Sequence, residues 1–319
     1  MTPHSGSPGP DSTTDFDSAQ RLMIRFTAQL TTQLDRLGHG NRSGSGQGRR
    51  DRPPTLVAVA HGSRDPEALR TVTALLDRVR ALRPGLPVRL GHIELNQPLL
   101  ADTLAALRGE AVLVPLLLSR GYHTKQDIPD AIAAAPHLAA RIAAPLGPDP
   151  LLAEALHARL AEAGRRVGAP YGTGVEAPYG TGAAGVAAPH RAGVVLAAAG
   201  SRDPDAAVDV ARTAALLSAR LGGVPVLPGY ASGSGPTVPE AVRALAALGH
   251  DRIAVASYFT APGRFATQCA NATPAAHTTP GVAAAPLGAH PAVARLVVRR
   301  YEQAIASAPL SPPAATVGV

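Results

Sequence analysis

Two histidines and a glutamate stand where short apolar runs give way to polar residues. His61 follows the run at 55–60, Glu94 ends the run at 87–94, and His123 lies just past the run at 111–118. Neutral imidazole and carboxylate are the usual ligands of borderline divalent ions such as Fe(II), Co(II), Ni(II) and Zn(II). The same groups accept and release protons near neutral pH. Spacings of 33 and 29 residues are too long for a local metal motif, so only the fold can bring the three together.

The elements that must do so read as alternating strand and helix. Strands are expected at 55–60, 87–94, 111–118 and 140–144, with helices at 66–83, 98–108, 127–135 and 150–164. That alternation predicts a parallel sheet covered by helices on both faces. Ser63 and Asp65 before Pro66 read as a helix start, and Asp127 before Pro129 as the cap of the short helix. In such a sheet the ligand crevice lies beyond the carboxyl ends of the strands, where His61, Glu94 and His123 fall.

The unit occurs twice. Leu56-Val-Ala-Val-Ala-His-Gly-Ser-Arg-Asp-Pro66 recurs as Val194-Val-Leu-Ala-Ala-Ala-Gly-Ser-Arg-Asp-Pro204, an offset of 138, and Val112 to Gly121 corresponds to Ala254 to Gly263. At the three ligand positions the second copy has Ala199, Ser232 and Phe265. It keeps Gly-Ser-Arg-Asp-Pro and lacks the His and Glu residues, which separates scaffold from chemistry. A single metal site in the first copy is the expectation.

Other chemistries find no motif. Gly-x-Gly-x-x-Gly and the Gly-Lys-Ser/Thr of a phosphate loop are absent, so no nucleotide is expected, and Gly229-Tyr-Ala-Ser-Gly233 does not match a nucleophile elbow. The formal charge of +7 is spread along the chain, and with no Trp and four Phe there is no basic, aromatic-interleaved tract for nucleic acid. No apolar run reaches the ~18 residues needed to span a bilayer. One Cys in 319 residues fits a reducing compartment. A soluble, cytoplasmic, monomeric protein is expected.

Ala60-His-Gly-Ser-Arg64, Glu94 followed by Pro98, Val114-Pro-Leu-Leu-Leu-Ser-Arg-Gly-Tyr-His-Thr-Lys-Gln-Asp-Ile-Pro129 and Leu146-Gly-Pro-Asp-Pro150 together resemble the sirohydrochlorin chelatase family, the class II chelatases. The resemblance covers about 55–165 well and 192–305 as a degenerate copy. It implies an α/β fold of two small units facing across a cleft that admits a planar tetrapyrrole. It further implies insertion of Fe(II) or Co(II) into sirohydrochlorin without ATP, in siroheme or cobalamin synthesis. On it, His61 and His123 bind the metal and Glu94 is the accompanying carboxylate. Arg64, Arg120, Lys125 and Ser63 are then candidates for the substrate's carboxylates, with Arg202 and Arg264 across the cleft. Lys125 is the sole Lys of the chain. His92, two residues before Glu94, is a weaker candidate for the same rim. The reading from another class is a carrier that binds metal or tetrapyrrole without turnover.

Outside the two units, 1–54 is read as an extension with one short amphipathic helix, 166–191 as a linker carrying Ala-Pro-Tyr-Gly-Thr-Gly twice, and 306–319 as a tail.

Overall fold

The computed structural model describes residues 53–166, 191–233, 235–272 and 282–307. The short helix expected in the N-terminal extension, the duplicated hexapeptide and nearly all of the C-terminal tail lie outside these residues.

In the first half, β1 (Thr55–Ala60), β2 (Val88–His92), β3 (Gly109–Pro115) and β4 (Leu138–Ile142) form a parallel sheet in the order β2-β1-β3-β4. The second half repeats this with β5 (Ala192–Ala198), β6 (Val226–Tyr230), β7 (Arg252–Ser257) and β8 (Val282–Ala283), ordered β6-β5-β7-β8. Register levels the carboxyl ends: Ala60 lies opposite His92, and Val59 opposite Pro115. In the second half Ala198 lies opposite Tyr230.

Each half opens its helical layer in the same way. Helix α1 (Pro66–Leu82) starts with Pro at its first position, and the Asp65 carboxylate accepts from the Glu67 N–H at 2.9 Å. The Ser63 hydroxyl accepts from the Asp65 N–H at 3.1 Å. Ser201 and Asp203 repeat both bonds at 3.0 Å ahead of helix α5, which spans Pro204–Arg220. The remaining helices are α2 (Leu100–Ala106), α3 (Ile128–Ala133), α4 (Pro150–Arg166), α6 (Val238–Ala247), α7 (Arg264–Asn271) and α8 (Pro291–Ala306).

The central strands β1, β3, β5 and β7 carry continuous apolar runs without alternation because both of their faces are buried. Leu56, Ala58, Val112 and Val114 face a core shared with Val194, Leu196, Ala254 and Ala256 of the other sheet. Val57, Val59 and Leu113 face a separate core under Leu100, Leu104 and Ile128. Val195, Ala197 and Val255 do the same under Val238 and Leu245. Helices α1 and α8 pack across the halves, as do α4 and α5. Leu152, Leu156 and Leu160 of α4 and Leu296 and Val297 of α8 are fully buried in the shared core, each stabilising by about 1.5–3 kcal/mol. Asp149, 5% exposed, is paired by Arg299 and Arg300 from the second half, and Arg300 also donates to the Pro145 and Leu146 carbonyls. The two halves form one body.

Three sequence expectations are corrected. The third strand runs Gly109–Pro115 rather than 111–118, because Leu116 to Ser119 leave the sheet to wall a cavity. The fourth lies at Leu138–Ile142 rather than 140–144. The helix expected from Asp127 is preceded by a π-helical turn, His123–Asp127, that runs directly into α3. Asp127 is therefore already inside helical backbone, and its side chain makes no cap hydrogen bond.

Candidate active site

A cavity of about 1100 Å³ opens beyond the carboxyl ends of both sheets, and both halves line it. His61, Glu94 and His123 all stand on its first-half wall. The ladder between β1 and β2 continues past the strand ends, with the Ile93 N–H donating to the Ala60 carbonyl at 2.9 Å and the Glu94 N–H to the His61 carbonyl at 3.0 Å. Glu94 thus sits in the loop after β2, beside His61, rather than on the strand itself. The Asn96 side-chain oxygen accepts from the Ser63 N–H at 2.6 Å and ties this loop to the one after β1.

The His61 and His123 rings meet edge to face, with centroids 4.7 Å apart. His61 Nε2 lies 3.5 Å from the Glu94 carboxylate. His61 Nδ1 lies 3.1 Å from the Gly62 carbonyl, and His123 Nδ1 lies 2.5 Å from the Asp127 carboxylate. The partner of His123 is an acceptor, so in its neutral imidazole the proton sits on Nδ1 and Nε2 keeps its lone pair, whereas His61 has an acceptor beside each ring nitrogen. The His123 ring is held with Nε2 available as a ligand, and the His61 Nε2 stands beside the Glu94 carboxylate. The three side chains stand together but do not close into a cage: among the described residues no group of three His, Cys, Asp or Glu is gathered to hold an ion unaided.

Asp127 is the residue that sequence reasoning missed. The π-helical turn, closed by the Ile128 N–H donating to the His123 carbonyl, brings positions four apart onto one face and so sets the carboxylate against the ring. Its signal was in the repeat: at the offset that pairs His123 with Phe265, Asp127 pairs with Cys269. The second copy lost the imidazole and its carboxylate together. Cys269 is buried under β7, and burial pushes its thiol up to about 11, so it packs as a small apolar group.

The basic residues divide into two sets. Arg120, on the cavity wall, donates from its backbone N–H and its guanidinium to Asp209, at 2.9, 3.0 and 2.7 Å. Asp209 is 1% exposed. Burial alone would raise its carboxyl, but the Arg120 hydrogen bonds and charge outweigh that and hold it below the usual carboxylate value. Lys125 lies off the cavity wall, its ammonium 2.7 Å from Asp203 and 3.0 Å from Asp205. Hydrogen bonds to these two carboxylates raise its pKa above the ordinary lysine value. Arg120 and Lys125 thus latch the π-helical turn region to the start of α5, Arg120 while lining the cavity. Arg64 and Arg264 line the cavity with no ion-pair partner among the described residues, whereas Arg202 is exposed and off the wall.

Ser63 lines the cavity, but its hydroxyl is turned to the Asp65 N–H. His92 is 2% exposed with Nδ1 3.2 Å from the Pro98 carbonyl, and burial pushes its imidazole pKa down. Among the described residues no helix is long and apolar enough to cross a membrane.

Known structures share this architecture. A structure of SirB from Bacillus subtilis with Fe3+ matches with a TM-score of 0.61 at 22% identity, covering 79% of this chain and 95% of that one, which speaks for the fold. Among curated proteins, a sirohydrochlorin ferrochelatase of Bacillus subtilis (strain 168) is 29% identical over 194 residues, or 58% of this chain and 66% of its own length, just under two thirds. A sirohydrochlorin cobaltochelatase of Methanopyrus kandleri is 31% identical over 136 residues, or 34% of this chain and 95% of its own length. The CbiX family model matches residues 55–163 and again 193–304, the two halves that the repeat and the paired sheets define, and the chain belongs to that family.

Proposed function

We propose that the chain is a metallochelatase that inserts a divalent metal, Fe(II) or Co(II), into sirohydrochlorin, in siroheme or cobalamin synthesis. The observation that carries this reading is the asymmetry of the cavity. One wall bears His61 in contact with both His123 and Glu94, and the corresponding positions of the second half are Ala199, Ser232 and Phe265, of which Ala199 and Phe265 line the other wall. The names and activities of the relatives support it.

The residue types suit the reaction. Insertion removes water from the ion and two protons from pyrrole nitrogens, with no covalent intermediate and no nucleotide. His61 and His123 take the substrate ion through Nε2, and Glu94 adds a negative charge that draws the cation to the rim. Two imidazoles and one carboxylate leave positions on the ion for water and then for pyrrole nitrogens, so the ligands can be exchanged one by one. Displaced imidazole and Glu94 are then placed to accept the pyrrole protons. Asp127 holds His123 in the ligating tautomer, as outer-shell carboxylates do at metal sites. Arg64 serves the peripheral carboxylates of the macrocycle, while Arg120 and Lys125 hold the walls together. The chain acts as a monomer, since its repeat supplies both walls.

The test is anaerobic absorbance of sirohydrochlorin with catalytic amounts of protein and either ion, beside His123→Ala. Multiple turnovers that the variant loses are expected. A spectral change that stops at one equivalent of protein would make the chain a carrier instead.

A further inference from the structure

The second half puts an aromatic ring where the first half puts His123. Phe265 lines the cavity, half-buried, and belongs to none of the three apolar cores, whereas Phe259, which also lines the cavity, is packed on the outer core of its own sheet. Large apolar side chains outside a core in a concave site are the usual mark of ligand contact.

Arg264 is the second observation. Its guanidinium carbon lies 5.1 Å from the Phe265 ring centroid, within cation–π range, and it lines the same cavity with no ion-pair partner among the described residues. A guanidinium in such contact with a ring still offers its N–H fork to an anion.

The loops that carry these residues exchange places across the cavity. A Cβ at Gly263 would lie 3.4 Å from the Ser63 hydroxyl, and a Cβ at Gly121 3.8 Å from the Ser201 hydroxyl. The loop before Phe265 therefore abuts the loop after β1 that bears His61, just as the loop before His123 abuts the loop after β5. Phe265 and Arg264 line the same cavity as His61 and His123.

We infer that Phe265 and Arg264 form the resting wall for the substrate, with the Phe265 ring stacking on a flat conjugated macrocycle and Arg264 taking one of its peripheral carboxylates. The inference rests on the chelatase reading. One half then acts on the metal and the other on the ring, and the ion enters from the His61/His123 face. Loss of His and Asp in the second copy becomes a gain of a stacking surface rather than decay.

The experiment measures metal-free sirohydrochlorin binding by equilibrium absorbance or fluorescence titration, then steady-state insertion, for wild type, Phe265→Leu, Phe265→Tyr and Arg264→Gln. Phe265→Leu keeps the apolar bulk and so tests the ring without emptying the site. Expected are a roughly tenfold rise in Kd and KM with kcat changed less than about threefold, near wild-type values for Phe265→Tyr, and unchanged Co(II) affinity in all. Arg264→Gln should raise Kd about fivefold or more and make binding less sensitive to salt. An unchanged sirohydrochlorin Kd in Phe265→Leu, or equal losses in Phe265→Leu and Phe265→Tyr, overturns the proposal. Wild-type protein that never metallates sirohydrochlorin would overturn the chelatase reading instead, a separate outcome.

Discussion

Gly62 and Glu94 are in backbone contact that no other residue type permits: a Cβ at Gly62 would stand 1.9 Å from the Glu94 carbonyl oxygen, and Gly62 sits at φ +104°. At the pseudo-equivalent Gly200, φ +86°, a Cβ would stand 1.8 Å from the Ser232 carbonyl oxygen. The two turns press the loop after the first strand of each half onto the loop after the second. In the first half that pressure sets His61 beside Glu94.

These two glycines separate folding from chemistry. Gly62→Ala and Gly200→Ala should each destabilise the protein by about 2 kcal/mol or more, through strained backbone and displacement of a carbonyl that cannot yield. Only Gly62→Ala should also reduce insertion per folded molecule, by more than about tenfold. Thermal melts alongside turnover at a temperature where both variants are folded make the comparison. Equal loss of turnover in both would mean that the first-half loops have no special part in the reaction.

His123 and Asp127 are expected to act as a unit. Both are partly exposed, at 36% and 31%, so His123→Ala should leave the melting temperature nearly unchanged while removing insertion by about a hundredfold or more. His61→Ala should behave alike. Asp127→Asn loses the charge that fixes the imidazole and should cost about 10- to 100-fold in Co(II) affinity or insertion. Added to His123→Ala, it should cost little more. Additive losses in the double variant would show that Asp127 acts elsewhere.

Much of this is legible in the sequence. The repeat, the strand and helix order, and the joint retention of Gly-Ser-Arg-Asp-Pro predict two like sheets, because apolar runs bounded by capping residues leave few alternatives. The positions of His61, Glu94 and His123 followed from the rule that parallel sheets bind beyond their carboxyl ends. Asp127 did not follow, because an Asp before Ile-Pro reads as a cap, and only a π-helical turn turns it onto His123. The ion-pair partners of Arg120 and Lys125 were not legible, because charge is visible in sequence while partners across the fold are not. Asp203, Asp205 and Asp209 meet them only once α5 of the second half is docked on the first.

That docking should have a pH signature. Asp209 has its carboxyl held low by Arg120 against the opposing effect of burial, so it stabilises the fold fully above the ordinary carboxylate range. The contribution is lost as pH falls through that range to the lowered folded value. Asp203, held low chiefly by its bond to Lys125, adds in the same direction. Asp209→Asn should therefore melt several degrees below wild type at pH 7, with the gap closing below about pH 4. A gap that stays constant from pH 7 to pH 3 would show that the Arg120 pair does not link folding to protonation.

The second copy retains the backbone of a site without its ligands. The Ser232 N–H still donates to the Ala199 carbonyl at 3.0 Å, as Glu94 does to His61, so the rim geometry persists. Restoring imidazoles through Ala199→His with Phe265→His should nonetheless give no second tight Co(II) site. The position that would orient the second imidazole is Cys269, buried at 3% exposure, and a neutral buried thiol cannot do the work of Asp127. Insertion should not double, and KM for sirohydrochlorin should rise because the phenyl ring is replaced by a smaller, polar imidazole. Cobalt titration followed by absorbance counts the sites. Two tight equivalents with doubled turnover would show instead that the halves are interchangeable and that the wall assigned to Phe265 is not needed.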